Sequence, residues 1–292
     1  MICNLKAYDL AKNSHVLAAF ESSNDFKSLS NDRPRDYTDK IGELLKLFVE
    51  NDSTIGFQLK EMLLSCEYQG VACQASDFVP YHDFDYGNCY RFNGGDAQRV
   101  SRKEGWQSGL RVELFSGLDE RYAYKSGFRI VVHNQSRVAF ADDDGIDVST
   151  GRQTNVAIRR HIDERLAKPY SNCVERLDAS DIEATNEPLR AMLALMETGV
   201  IGKYQQNICF KICTQQYING KCKCVDTRMR AYMRGGVGGG GVKYCASKWE
   251  LTCLRATEAD FYRSDQAESC YRNNCPIECS SVVYDLKVSI AE

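Results

Sequence analysis

The sequence predicts an α+β fold, rich in disulfides and suited to an oxidising compartment. Three observations carry that expectation. Apolar residues recur at helical spacing near the start and again after Pro169. Short alternating or β-branched runs fill the stretch from Tyr86 to about Ile162. Fourteen cysteines are present, ten of them between Cys173 and Cys279, and a cytosolic chain rarely keeps so many thiols. The 292 residues suffice for one large domain or two ordinary ones with a buried core. A hydrophobic content of 43% and a charged content of 26% are ordinary for a globular chain. The net charge of -3 argues against a nucleic-acid binder, which normally carries a basic surplus.

Taken in order, Ile2 to Leu5 reads as a strand end. Asp39 to Glu50 reads as a helix, with Ile41, Leu44, Leu45 and Phe48 on one face, and Asn51 to Ser53 breaks it. A second helix is expected from about Ile55 to Ser65, through Phe57, Leu59, Met62 and Leu63, giving a small helical subdomain. Strands are expected at Asn88–Phe92, Leu110–Phe115, Phe128–His133 and Thr154–Arg159, bounded by Gly, Asn and Asp. The acidic run Asp142 to Asp144 before Gly145 reads as a solvated turn, because it lacks the ligand spacing of a calcium loop. Pro188 suits the first turn of a helix through Leu189, Met192, Leu193 and Met196. A further helix is expected from Tyr204 to Tyr217. Gly235 to Gly241 reads as a flexible loop, since no Gly-Lys-Ser/Thr follows it and no strand precedes it.

The cysteine spacings impose their own geometry. Cys209 and Cys213, four apart on a helix, face the same way and can bridge to one neighbouring segment, for which Cys270 and Cys275 are natural partners. Cys222 and Cys224 lie two apart in a stretch that reads as a turn, Asn219-Gly220-Lys221. They are poorly placed to pair with each other, and Cys245 and Cys253 suit them. Zinc is the competing reading, but the spacings are not those of paired zinc knuckles, and no His follows His161. Fourteen cysteines allow on the order of 10^5 pairings, so spacing alone leaves the set open. The first residues, MICNLKAYDLAKNSH, carry no secretory signal. No run of about 18 apolar residues occurs. The chain therefore reads as a fragment whose export signal lies upstream of Met1.

Five segments in order, Ile2–Leu5, Glu61–Cys73, Tyr86–Asn93, Gly127–His133 and Arg165–Cys173, together resemble the extracellular region of the degenerin, epithelial sodium channel and acid-sensing ion channel family. Ile2-Cys3-Asn4-Leu5 resembles the segment that follows the first transmembrane helix. Glu61-Met62-Leu63-Leu64-Ser65-Cys66 with Gly70 and Cys73 resembles "DMLLSC…G..C". Tyr86-Gly87-Asn88-Cys89-Tyr90-Arg91-Phe92-Asn93, continued by Gly109-Leu110, resembles "YGxCYxFN" and is the most specific match. Gly127-Phe128-Arg129-Ile130-Val131-Val132-His133 and the run from Arg165-Leu166 through Pro169-Tyr170 to Cys173 resemble the following strand and the "RL..PY..C" segment.

The resemblance implies seven disulfides: Cys3 with Cys89, Cys66 with Cys73, Cys173 with Cys279, Cys209 with Cys275, Cys213 with Cys270, Cys222 with Cys253, and Cys224 with Cys245. It implies a hand-like ectodomain with a palm β-sheet, a β-ball, a helical finger and a helical thumb. The divisions it implies are 1–8 as first palm strand, 9–85 as finger, 86–172 as palm and β-ball, 173–279 as stapled thumb and 280–292 as the start of the return. It implies a subunit of a trimeric, amiloride-sensitive sodium channel at the plasma membrane, whose extracellular part couples a stimulus to pore opening. Its partners would be other subunits and an extracellular ligand of unassigned chemistry, with membrane contact only through flanking helices. Sodium would be the transported ion, with no site for it here and no cofactor. Tyr170 matches the aromatic at the thumb base that docks on the first transmembrane helix. The carboxylates of an acid-sensing pocket align only loosely, at Asp119, Glu120 and Asp260, so proton gating is not implied. The interval from Cys173 to Cys209 is longer than in acid-sensing relatives, and that from Leu114 to Gly127 is short.

Two sequons, at Asn51 and Asn134, fit an extracellular chain. The alternative class is a soluble, secreted, disulfide-rich binding or adhesion protein on the same fold. An enzyme is not expected, because none of His15, His82, His133 and His161 lies beside a recognisable nucleophile.

Overall fold

A computed structural model describes residues 1–27, 41–42, 44–46, 48–49, 52–95, 98–117, 125–135, 137–179, 186–229, 232 and 243–291. It is a mixed helix and sheet structure with seven disulfides and no free cysteine. The chain divides into two compact units. One comprises residues 1–135, 139–156 and 288–292; the other comprises 136–138 and 157–287.

The first unit is built on a five-stranded antiparallel sheet in the order β4-β5-β1-β7-β8. Its strands are β1 (Ile2–Asn4), β4 (Phe78–Asp83), β5 (Gly87–Phe92), β7 (Gly127–Ile130) and β8 (Ile146–Ser149). The short β1 lies at its centre, pairing Ile2 with Tyr90 on one side and with Ile130 on the other. Two glycines of the family motifs have steric reasons to be glycine. Gly87 and Gly127 both have positive φ, and a Cβ at either would run into a backbone carbonyl, that of Ala7 or Val148. A second sheet, β3-β2-β6, comprises β2 (Leu63–Tyr68), β3 (Val71–Ala72) and β6 (Leu110–Leu114). Tyr68 opposes Val71 across a two-residue loop in which Gln69 and Gly70 both have positive φ, the hairpin turn that matches strand twist. Ile2, Phe57, Met62, Phe78, Tyr90 and Phe128 form a buried core cluster, with Val112 and Leu114 of β6 packed against it.

The helix expected over Asp39 to Glu50 is helical at residues 41–42, 44–46 and 48 and has turned out of the helix at Val49, with Ile41, Leu44 and Leu45 buried and Phe48 partly exposed against Phe20. An unforeseen helix, α1 (Ser14–Ser22), buries Leu17 and Phe20. The helix expected from Ile55 to Ser65 is a correction. Only Leu59–Met62 makes a helical turn, and from Leu63 onward the chain is β2, paired with β6 from Leu63↔Leu114 to Tyr68↔Leu110. The apolar run there fits either period, and cross-strand pairing decided it. The strand expected over Phe128–His133 ends at Ile130, so His133 lies outside it. Residues Asp142 to Asp144 form a turn, and Asp144 N–H donates to the Phe140 carbonyl (2.9 Å).

The second unit is helical. Its helices are α2 (Glu187–Glu197), α3 (Gln206–Cys222), α4 (Lys248–Tyr262) and α5 (Asp265–Ser269). Asn186 caps α2 by accepting from Leu189 N–H (3.1 Å), and Pro188 occupies the first turn, where no N–H is needed. α3 is longer than its expected end at Tyr217. Asn219 to Lys221 are helical, not a turn, because Ile218 and Cys222 extend the buried stripe of Ile208, Cys209, Ile212 and Gln215 by another turn. Lys223 then ends the helix in the left-handed conformation. Strand β9 (Gln153–Glu164), longer than the expected Thr154–Arg159, pairs with β10 (Ser280–Ala291) in a two-stranded sheet. The glycine-rich Gly235 to Gly241 lies outside the described residues.

Candidate functional site

Five of the seven disulfides lie in the helical unit. α3 and α4 pack side by side, and four disulfides fasten α3 and its C-terminal exit to the returning chain. They are Cys209–Cys275, Cys213–Cys270, Cys222–Cys253 and Cys224–Cys245. Cys209 and Cys213 lie one helical turn apart and meet the turn Cys270–Asn274 and its flank, while Cys222 meets the first half of α4. Between the bridges Phe210, Tyr217, Phe261, Tyr262 and Tyr271 form a chain of ring contacts with centroids 5.3–6.0 Å apart. Ile218, Cys222, Cys224, Cys245 and Leu254 make a buried cluster beside it.

Polar groups fix the remaining ends. Ser247 Oγ accepts from Glu250 N–H (3.3 Å) and Glu250 accepts from Ser247 N–H (3.0 Å), a reciprocal capping box at the start of α4. The Lys243 ammonium, together with the Ser247 and Ala246 N–H groups, holds the Glu250 carboxyl down to about 2. Asp226, buried just beyond the Cys224 bridge, receives Arg228 Nε (2.7 Å), and Arg228 reaches on to Glu258 of α4 (3.3 Å). Gln215 Oε1 accepts from Asp226 N–H (2.9 Å), which ties this network back to α3.

At the base of the unit, Cys173–Cys279 joins the segment entering the helices to the segment leaving them. Val174 N–H donates to the Ile277 carbonyl (2.8 Å) and Cys279 N–H to the Val174 carbonyl (2.9 Å). Tyr170 lies on a turn after a cis Lys168–Pro169 bond, its N–H donating to the Ala167 carbonyl (3.1 Å). Tyr170 is 78% exposed, presented outward with Leu166 at 68%. In the first unit Cys3 is joined to Cys89 across β1 and β5, and Cys66 to Cys73 across the β2–β3 hairpin.

Of the other candidates, Asn134 is described and partly exposed, whereas Asn51 and Ser136 of the sequons lie outside the described residues. Asp119 and Glu120 also lie outside them, and the Asp260 side chain is 63% exposed, 4.0 Å from Lys221 Nζ. His82 contacts Asn88 Oδ1 (3.1 Å), His133 the Asn134 carbonyl (2.9 Å) and His161 the Asp285 carboxylate (2.8 Å). Among the described residues no group of three or more His, Cys, Asp or Glu is placed to hold a metal ion. No helix among them is long and apolar enough to cross a membrane.

Sequence reasoning missed Glu278. Its carboxylate accepts from Gln206 N–H (2.7 Å) at the start of α3. Nothing in its spacing marks it, since Gln206 is 72 residues away in sequence.

Comparison with known proteins identifies the family. The family model described as amiloride-sensitive sodium channel matches residues 1–292, and the chain belongs to that family of plasma-membrane channel subunits. Epithelial sodium channel subunit gamma-2 of Xenopus laevis is 28% identical over 254 residues, covering 85% of this chain and 35% of the relative. Epithelial sodium channel subunit gamma of Rattus norvegicus is 28% identical and that of Homo sapiens 27%, each over 183 residues, 61% of this chain and 26% of the relative. The chain thus spans about a third or less of the length of the curated relatives it matches. Those relatives are ion-channel subunits, not enzymes.

Proposed function

We propose that this chain is the extracellular regulatory region of a sodium channel subunit, which couples an extracellular stimulus to opening of a pore formed by other parts of the protein. The observation that carries the reading is the helical unit. Four bridges and a continuous aromatic core make α3, α4 and the returning chain one body, and a packed, cross-linked body transmits displacement instead of absorbing it. A stimulus gates by binding one of two states of the assembly more tightly than the other.

In this reading residues 173–279 are the thumb, 9–85 the finger, and 86–172 with 1–8 the palm and β-ball. The outward-facing Tyr170 at the thumb base meets a membrane helix of the full-length subunit. The subunit assembles with others into a trimer and conducts sodium without a cofactor. Asn51 and Asn134 are glycan acceptors. Seven disulfides support an extracellular setting.

The test is electrophysiological. The full-length subunit, expressed with candidate partner subunits, carries an amiloride-blocked sodium current. Y170A then alters opening with unitary conductance unchanged. A current whose unitary conductance changes with Y170A contradicts a regulatory role.

A further inference from the structure

The five residues Cys275 to Cys279 form a strap held to α3 on one side and to the base on the other. Toward α3 it is held by the Cys209–Cys275 bridge, by Gln206 Nε2 donating to the Cys275 carbonyl (2.7 Å) and by Tyr204 Oη donating to the Pro276 carbonyl (2.6 Å). Toward the base it is held by Val174 through the Ile277 carbonyl and Cys279 N–H, by Arg165 N–H donating to the Cys279 carbonyl (2.7 Å) and by the Cys173–Cys279 bridge. Glu278 sits on both sides at once. Its carboxylate takes Gln206 N–H, while its carbonyl accepts from the Arg165 guanidinium (3.5 Å) and its backbone pairs with Val174.

That carboxylate is the acceptor for the Gln206 N–H that opens α3. Gln205 occupies the capping position, yet its side chain makes no capping bond, and both polar atoms of its buried amide are without a partner. A helix start exposes N–H groups and a partial positive charge, and an ionised carboxylate satisfies both. Here it comes from the strap, one residue before the base disulfide. Burial, with the negative charge of Glu278 beside it, pushes the Tyr204 phenol upward, so Tyr204 stays a neutral donor to the strap.

We propose that Glu278 is a positioning residue that couples α3 to the base of the β9–β10 ribbon, so that displacement of the helical unit reaches the ribbon. The inference rests on the regulatory reading above and names the contact through which it acts. A purely local helix cap would stabilise α3 and do nothing more.

The experiment uses the full-length subunit in its assembled channel, with E278A and E278Q. Hydrogen–deuterium exchange follows the peptide holding Gln206 to Cys209, and single-channel recording follows open probability, with surface number and unitary conductance as controls. E278A is expected to speed exchange of that peptide about tenfold, the equivalent of one lost charge-assisted hydrogen bond. It is also expected to change open probability at least threefold at unchanged unitary conductance. E278Q, which keeps an acceptor oxygen, restores most of both. Unchanged exchange in E278A overturns the contact. Faster exchange with unchanged open probability reduces Glu278 to a cap and overturns the coupling, while the regulatory reading stands. A wild-type channel whose opening no substitution in this chain alters overturns the regulatory reading itself.

Discussion

Cys3 and Cys89 stand directly opposite each other on antiparallel strands, Cα atoms 4.3 Å apart, both fully buried and joined by a disulfide. The close approach is that of a pair whose backbones do not hydrogen-bond each other, the position where cross-strand side chains come nearest. The bridge closes 86 residues of chain onto the three-residue β1. By loop closure alone it contributes about 4–5 kcal/mol. C3S/C89S is therefore expected to lose most surface expression at 37 °C and to recover part of it at lower temperature. Wild-type expression at 37 °C would show that β1 does not need the bridge.

Gly87→Ala tests the turn that feeds β5. The added methyl meets the Ala7 carbonyl, and the positive φ costs further, so backbone must shift. A loss of about 2–4 kcal/mol is expected, read as a lowered Tm. Gly220→Ala, in the last part of α3 with open space around it, is the control and should be neutral or slightly stabilising.

The pH response of the first unit should show Asp83. Its carboxylate accepts from Asp85 N–H (2.8 Å) and Tyr86 N–H (3.1 Å) in the β4–β5 turn, but burial and then the charges of Asp85 and Asp142 raise it to about 6. Asp85 itself is paired with Lys46 (2.6 Å). A carboxyl raised in the folded state penalises folding once it ionises. The penalty is absent below about 4, grows as pH rises toward 6, and is constant above that. D83N keeps an acceptor without the charge. It should gain about 3 kcal/mol at pH 7 and nothing at pH 3.5 in denaturant titrations. Equal stability of D83N and wild type at pH 7 would contradict it.

Glu250 has the opposite sign. Its depressed carboxyl contributes stability above about 4.5 and loses it as pH falls toward 2. Lys243 is largely exposed, so the contribution is discounted to about 1 kcal/mol. E250Q should cost that much at pH 7, with faster amide exchange confined to the first turn of α4, and the difference should vanish near pH 2.

Helices with a clear stripe were legible in the residues. Leu189, Met192, Leu193 and Met196 announce α2 because a helix buried on one side must repeat its apolar residues each turn. β2 was not legible as a strand. Leu63 and Leu64 continue the helical spacing of Leu59 and Met62, and only β6, some fifty residues later, makes a strand of them. β4 was missed for a related reason, since its pairing with β5 carries Pro80 and an irregular pattern. Cysteine spacing pointed to cross-links between the outgoing and returning halves of the helical unit, but it could not choose among pairings. Glu278 was invisible, because its role is created by the fold that brings residue 278 to the start of α3.

A chain that regulates a sodium pore and one that forms it respond differently when the helical unit is loosened. The direct measurement is single-channel recording of the full-length subunit with its partners, comparing wild type with C222S/C253S, which frees one rung of the helical unit at residues 222 and 253. A regulatory chain gives a changed open probability at unaltered unitary conductance and sodium selectivity. A changed conductance or selectivity with open probability intact would contradict it.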